Sequence, residues 1–197
     1  MTGRGVPALA GAAAALALAA CDDAPRDSAA RPAAAHTAEP ERPRGAVENC
    51  STRSEASFPE TFTDRRNVVV GPLVLIGAAS TSADTVRRFG GNKFPALVRA
   101  GHRVTVALSP STRRVAGLGY GPLPEAVELE PRDGHRVVTF VACRRGKASG
   151  SDADGRQVTF WSGFVLTTSP RCVPLQVWVD SEPSPRHVAL RMGVRRC

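Results

Sequence analysis

The apolar positions of this chain fall into two patterns. Residues 8–17 are almost all Ala or Leu, in one uninterrupted run. Beyond residue 50 the apolar residues come in short bursts separated by Gly, Pro, Ser and Asp. Bursts of that length with period-two alternation predict strands, and the punctuating residues predict turns. Residues 68–76 are apolar except at Gly71-Pro72, which predicts a buried strand with a bend or two short strands. Residues 102–108, 127–130 and 136–141 alternate polar and apolar, as half-buried strands do. Residues 158–166, 173–179 and 188–194 complete the series. One short helix is expected at Ala83–Phe89, with Ser82 as its N-cap. Six to eight short strands in about 150 residues predict a mainly β fold, an antiparallel β-sandwich of immunoglobulin-like or similar kind. The Cys-Trp-Cys order of antibody domains does not fit, because Trp161 follows Cys143, so the topology stays open.

The N-terminal run has the parts of a secretory signal: Arg4, the apolar core and the small residues Ala19 and Ala20. It is shorter than the ~18–20 residues that span a bilayer, which predicts a removed leader over residues 1–20. Leu18-Ala19-Ala20-Cys21 resembles the lipobox of bacterial lipoproteins. That resemblance implies a diacylglycerol on Cys21 and a lipid anchor in the cell membrane, on its extracytoplasmic face. Several acyl chains at about 0.8 kcal/mol per buried CH₂ give stable anchoring. The plain alternative is an ordinary secretory signal that leaves Cys21 as a free thiol. Asp22 and Asp23 resemble an inner-membrane retention signal; in a single-membrane organism they are only solvated charge. Residues 21–49 are rich in Ala, Pro, Asp, Glu and Arg without apolar periodicity, which predicts a disordered tether ahead of a folded domain over residues 50–197.

With Cys21 lipidated, Cys50, Cys143, Cys172 and Cys197 remain, an even set that predicts two disulfides in an oxidising compartment. Cys172 opens one predicted strand and Cys197 closes the next. In an antiparallel hairpin those positions are neighbours, so the expected pairs are Cys172–Cys197 and Cys50–Cys143. Cys197 joined to Cys50 would refute that strand order. From residue 137 onward the segments Val137-Val138-Thr139-Phe140-Val141-Ala142-Cys143, Trp161-Ser162-Gly163-Phe164-Val165-Leu166, residues 172–180 and Gly193-Val194-Arg195-Arg196-Cys197 resemble a group of uncharacterised actinobacterial secreted proteins and lipoproteins. The resemblance implies a shared fold and an extracytoplasmic setting, and carries over no catalytic or binding residue.

The chain carries a formal charge of +8. Loss of Arg4 with the leader leaves +7. Residues 22–49 hold six acids and four bases, so residues 50–197 carry +9. Such a charge predicts attraction to anionic lipid or anionic wall polymer. The bland reading is an arginine-rich composition spread evenly over the surface. Candidate anion-binding pairs are Arg65 with Arg66, Arg113 with Arg114, and Arg144 with Arg145. Arg87-Arg88 and Arg195-Arg196 are further basic pairs. Few aromatics are available for base stacking, and nucleic acid is not an expected partner.

Candidate chemistry is sparse. Gly117-Leu118-Gly119-Tyr120-Gly121 suggests a phosphate loop, but Pro122 and Pro124 forbid the helix that must follow, so a flexible turn is expected. Asp152-Ala153-Asp154-Gly155 resembles the start of a calcium loop without its distal Glu and reads better as a hairpin tip. His102, His135 and His187 stand alone, without metal-ligand spacing, and no serine sits in a nucleophile elbow. No metal, cofactor or catalytic residue is expected. Trp161 alternates with Phe160, so one of them should point outward. An outward Trp161 beside Gly163 would make a ligand platform; the plain reading is core packing. The leading expectation is a non-enzymatic binding or envelope-structure module. The rivals are a hydrolytic enzyme of the cell envelope, marked by a pocket with titratable groups, and an accessory subunit of a membrane complex, marked by an exposed apolar patch.

Overall fold

The computed structural model describes residues 42–55, 61–125 and 128–197. In chain order these form β1 (Ala46–Glu48), β2 (Val68–Val70), β3 (Leu73–Leu75), α1 (Ala83–Phe89), β4 (Gly91–Lys93), β5 (Ala96–Arg99), β6 (Arg103–Leu108), β7 (Ala116–Gly119), β8 (Val137–Val141), β9 (Gly150–Ser151), β10 (Gln157–Trp161), β11 (Phe164–Thr167), β12 (Arg171–Val179) and β13 (Arg186–Met192). The fold is mainly β, with antiparallel sheets in a sandwich-like arrangement and both expected disulfides, Cys50–Cys143 and Cys172–Cys197. One layer has the order β1-β8-β6-β12-β13, and its β1–β8 pair is parallel.

The facing sheets, β2-β3-β5-β10-β9 and β4-β11-β7, are joined by two bent strands. Trp161 of β10 pairs with Ala96 of β5, and Phe164 of β11 pairs with Lys93 of β4, in one unbroken register. The Phe94 N–H donates to the Gly163 carbonyl at 2.9 Å, so the ladder passes through the bend. Gly163 is required there. A Cβ at that position would lie 2.1 Å from Cδ1 of Tyr120, whose ring lies against the glycine. The Tyr120 hydroxyl donates to the Phe94 carbonyl at 2.5 Å. Tyr120 meets Phe140 edge-on at 5.0 Å between ring centroids, and Phe140 meets Trp161 at 5.2 Å. These rings sit in the main core between the layers with Leu73, Val104, Leu175 and Leu190.

Four expectations need correction. The fold begins before Cys50, because Ala46–Glu48 pairs with β8 and Arg42 donates to the carbonyls of Asp180 and Glu182. A three-residue edge strand is held by backbone bonds, which apolar patterning does not reveal. Residues 117–119 are buried strand rather than flexible turn; Gly117 and Gly119 are there because Pro131 and the Phe164 ring press on them. Residues 128–130 form no strand, since Pro131 follows and the Glu130 N–H turns to the Asp133 carboxylate at 2.8 Å. Trp161 is 1% exposed and its indole N–H donates to the Asn49 carbonyl at 3.1 Å, so it offers no platform. Phe160 takes the opposite face of the strand and is itself covered, in a satellite cluster with Val74, Leu97 and Val158.

Candidate functional site

Two basic regions stand out, at opposite ends of the β1-β8-β6-β12-β13 layer. The first gathers where β12 begins and β13 ends. β13 delivers Arg191, whose Nε donates to the Ala79 carbonyl at 2.7 Å. The Ala79 N–H in turn donates to the Arg66 carbonyl at 2.9 Å. Arg191 also reaches the Arg195 carbonyl through Nη1 at 3.2 Å. The chain turns at Gly193, whose φ of 75° suits only glycine well, and Cys197 is tied back to Cys172. Two arginine pairs far apart in sequence, Arg65-Arg66 and Arg195-Arg196, thereby converge around one peptide. All four are exposed. Arg66 pairs with Asp64 at 2.6 Å, and its hydrogen bonds hold that carboxyl below its ordinary pKa. Among the described residues no acid lies within ion-pair distance of Arg65, Arg191, Arg195 or Arg196. Arg113 and Arg114 follow β6 at this same end, since Leu108 closes β6 opposite Leu175 of β12. Helix α1 starts here too: a Cβ on Gly193 would lie 2.9 Å from the Ala83 Cα. Its Arg87 pairs with Asp84 at 2.7 Å, while Arg88 lies over the exposed Phe89 ring at 5.2 Å.

Arg144 and Arg145 do not join this group. They follow β8, whose far end is held beside the start of β6 by the Ala142 N–H bond to the His102 carbonyl at 2.9 Å. Both are exposed, with no acid partner among the described residues. Of the arginines singled out in the sequence, the fold therefore brings Arg65, Arg66, Arg113 and Arg114 to one end and leaves Arg144 and Arg145 at the other. Cys21 lies outside the described residues.

Near that second end is an open groove of about 500 Å³. Arg42 and Arg44, with the chain between them, form one wall, Arg103 another, and Val47, Thr105 and Thr139 complete the lining. The sequence pointed to none of the three arginines. Arg42 and Arg44 fell in the presumed tether, and Arg103 read as one polar position of an alternating strand. The register explains the floor. Val47, Thr139, Thr105 and Trp178 lie side by side across β1, β8, β6 and β12, on the face turned away from the core. The two threonine hydroxyls meet at 2.9 Å.

Asp180 organises the rim. Its φ is 45°, an unusual left-handed conformation for a residue other than glycine. One carboxylate oxygen accepts from the Arg103 N–H at 2.9 Å, and the other meets His102 Nδ1 at 2.7 Å. Burial pushes the Asp180 pKa up, but the Arg103 N–H, the bond to His102, and the charges of His102 and Arg42 outweigh it, so the net shift is downward. The groove lining supplies cations and hydroxyls, with no carboxylate, imidazole or thiol among the described residues. Such an arrangement can hold an anion.

Asp152 of the β9–β10 hairpin is a structural residue. One of its oxygens accepts from the N–H groups of Asp154 and Arg156 at 3.0 and 2.9 Å, closing the tip as an Asx turn. The other lies 3.5 Å from Arg99 Nε. Among the described residues no group of acids, histidines and cysteines could hold a metal ion, and no helix is long and apolar enough to cross a membrane. No known protein family, curated protein or solved structure matches the chain.

Proposed function

We propose that this protein is a lipid-anchored, extracytoplasmic binding module whose basic end engages an anionic component of the cell envelope, either lipid headgroups or wall polymer. The observation that carries the reading is the convergence of Arg65, Arg66, Arg191, Arg195 and Arg196 around the Ala79 peptide, with only Arg66 ion-paired among the described residues. A composition bias alone gives no reason for two distant pairs to be pinned together by hydrogen bonds and a disulfide. The Leu18-Ala19-Ala20-Cys21 segment supports the anchor, and some twenty intervening residues would give the domain reach over the surface. The hydrolytic alternative draws no support from the groove lining. The large apolar residues left exposed among the described residues, Val47, Val69 and Phe89, lie on separate elements, which offers no contiguous patch for the accessory-subunit alternative.

Two measurements test the proposal. Cys21→Ser should move the protein from the membrane fraction to the soluble fraction; unchanged partitioning would remove the lipid anchor from the reading. The full-length Cys21→Ser protein should also bind isolated envelopes at low salt and lose them at high salt. Each arginine near an anionic surface contributes about 1 kcal/mol, so Arg195→Gln with Arg196→Gln should weaken binding by about 2 kcal/mol, roughly 30-fold. Binding that ignores both salt and this double substitution would refute the basic-end reading.

A further inference from the structure

The groove at the opposite end of the layer is a second, separate candidate. We infer that it is a seat for a phosphate group, carried by a phosphomonoester or a phosphodiester, gripped by the guanidinium groups of Arg42 and Arg103 over the Thr105–Thr139 floor. The inference is independent of the proposal above, because none of these residues belongs to the basic end.

Three observations carry it. The first is donor supply. Arg42 uses Nη1 and Nη2 on the carbonyls of Asp180 and Glu182. A guanidinium has five N–H donors, so more than half remain for a ligand, and no acid is ion-paired to it among the described residues. Arg103 is exposed and, among the described residues, its side chain has no hydrogen-bond partner. Its backbone is fixed by Asp180, so its side chain springs from a rigid base beside the groove. Planar guanidinium forks match the oxygens of phosphate better than an ammonium does.

The second observation is the floor. Thr105 and Thr139 are 2% and 7% exposed and share one hydrogen bond, which uses one of their two hydroxyl protons. The other proton is left to donate upward to an oxygen of the ligand.

The third observation is shape. About 500 Å³ exceeds what a bare phosphate needs. The exposed Val47 side chain and the chain between Arg42 and Arg44 leave room for the organic part of a phosphate ester. A glycerol phosphate, either free or as the headgroup of an anionic lipid, has that combination of size and charge.

The test uses full-length protein carrying Cys21→Ser, titrated with inorganic phosphate, with glycerol 3-phosphate and with phosphatidylglycerol vesicles, and followed by calorimetry. Saturable binding of glycerol 3-phosphate is expected, at least tenfold weaker in Arg103→Gln and weaker in Thr139→Val. Arg195→Gln with Arg196→Gln should leave that small-ligand binding unchanged, which separates failure of the groove from failure of the basic end. Vesicle binding that depends on Arg103 assigns the seat to a lipid headgroup. Binding of the two small ligands alone assigns it to a soluble ester. No saturable binding of either small ligand, or binding equal in wild type and Arg103→Gln, overturns the inference.

Discussion

Two residues show how much local geometry depends on distant partners. Gly163 is small because the Tyr120 ring occupies the space its side chain would take. Gly163→Ala should force that ring away from Phe140 and strain the Phe94 hydrogen bond, at an overpacking cost of about 1–3 kcal/mol, read as a lower denaturation midpoint with an unchanged slope. Asp180 makes the complementary case for charge. Its folded pKa lies below its ordinary value of 3.8, so its contribution to stability is full above that value and disappears as pH falls through the lower folded one. Asn tolerates the left-handed backbone and removes the charge. Asp180→Asn should therefore be less stable than wild type near neutral pH, and the two denaturation curves should converge in strong acid. A gap that persists undiminished to the lowest pH would show that His102 and Arg42 gain nothing from the carboxylate.

Elements differ in how openly the sequence declares them. Helix α1 has its expected bounds, and the Ser82 hydroxyl accepts from the Thr85 N–H at 3.0 Å, because capping is a local contract between neighbours. The β12–β13 hairpin was equally legible: alternation set the strands, and placing a cysteine at the mouth of each set the bridge. β7 and β4 were hidden for one common reason. Their glycines answer to pressure from Pro131, Val165 and Phe164, and nothing local distinguishes a glycine that yields to a neighbour from one that makes a turn. β1 was hidden because a strand of three residues beside Pro and Arg has no room for a pattern. The groove went unseen with it. The hairpin bridge also bears on the basic end. Replacing Cys172 and Cys197 with Ser opens a loop of 25 residues, worth about 3.5 kcal/mol on the chain-entropy account. That double variant should lose stability by this order in chemical denaturation. It should also weaken envelope binding, since residues 193–197 would no longer be held against β12.

Across the whole molecule, positive charge is unevenly used. Most ion pairs among the described residues join neighbours in sequence, as in Arg66–Asp64, Arg87–Asp84, Arg132–Glu130 and Arg186–Glu182. The arginines left over gather at the two ends of one layer, the basic end bearing the larger share. The field of such a molecule is polarised along the strands, so its approach to an anionic surface has a preferred orientation at low salt and loses it as salt screens the charge. The net charge was readable from composition. Its polarity was not, because the sheet register decides which ends the arginines share.

The parallel pairing of β1 with β8, closed by Cys50–Cys143 just beyond both strands, has a mechanical consequence. A pull on residue 42, as drag on a surface-tethered domain would exert, enters the fold through β1. Three residues of hydrogen-bonded ladder would yield early. The disulfide then arrests the rupture after about 3 nm of chain, at roughly 3.3–3.6 Å per residue, and passes the load covalently to the end of β8, the second strand of its layer. The entry strand thus acts as a fuse with a stop behind it: it stretches and can re-zip before the core takes any load.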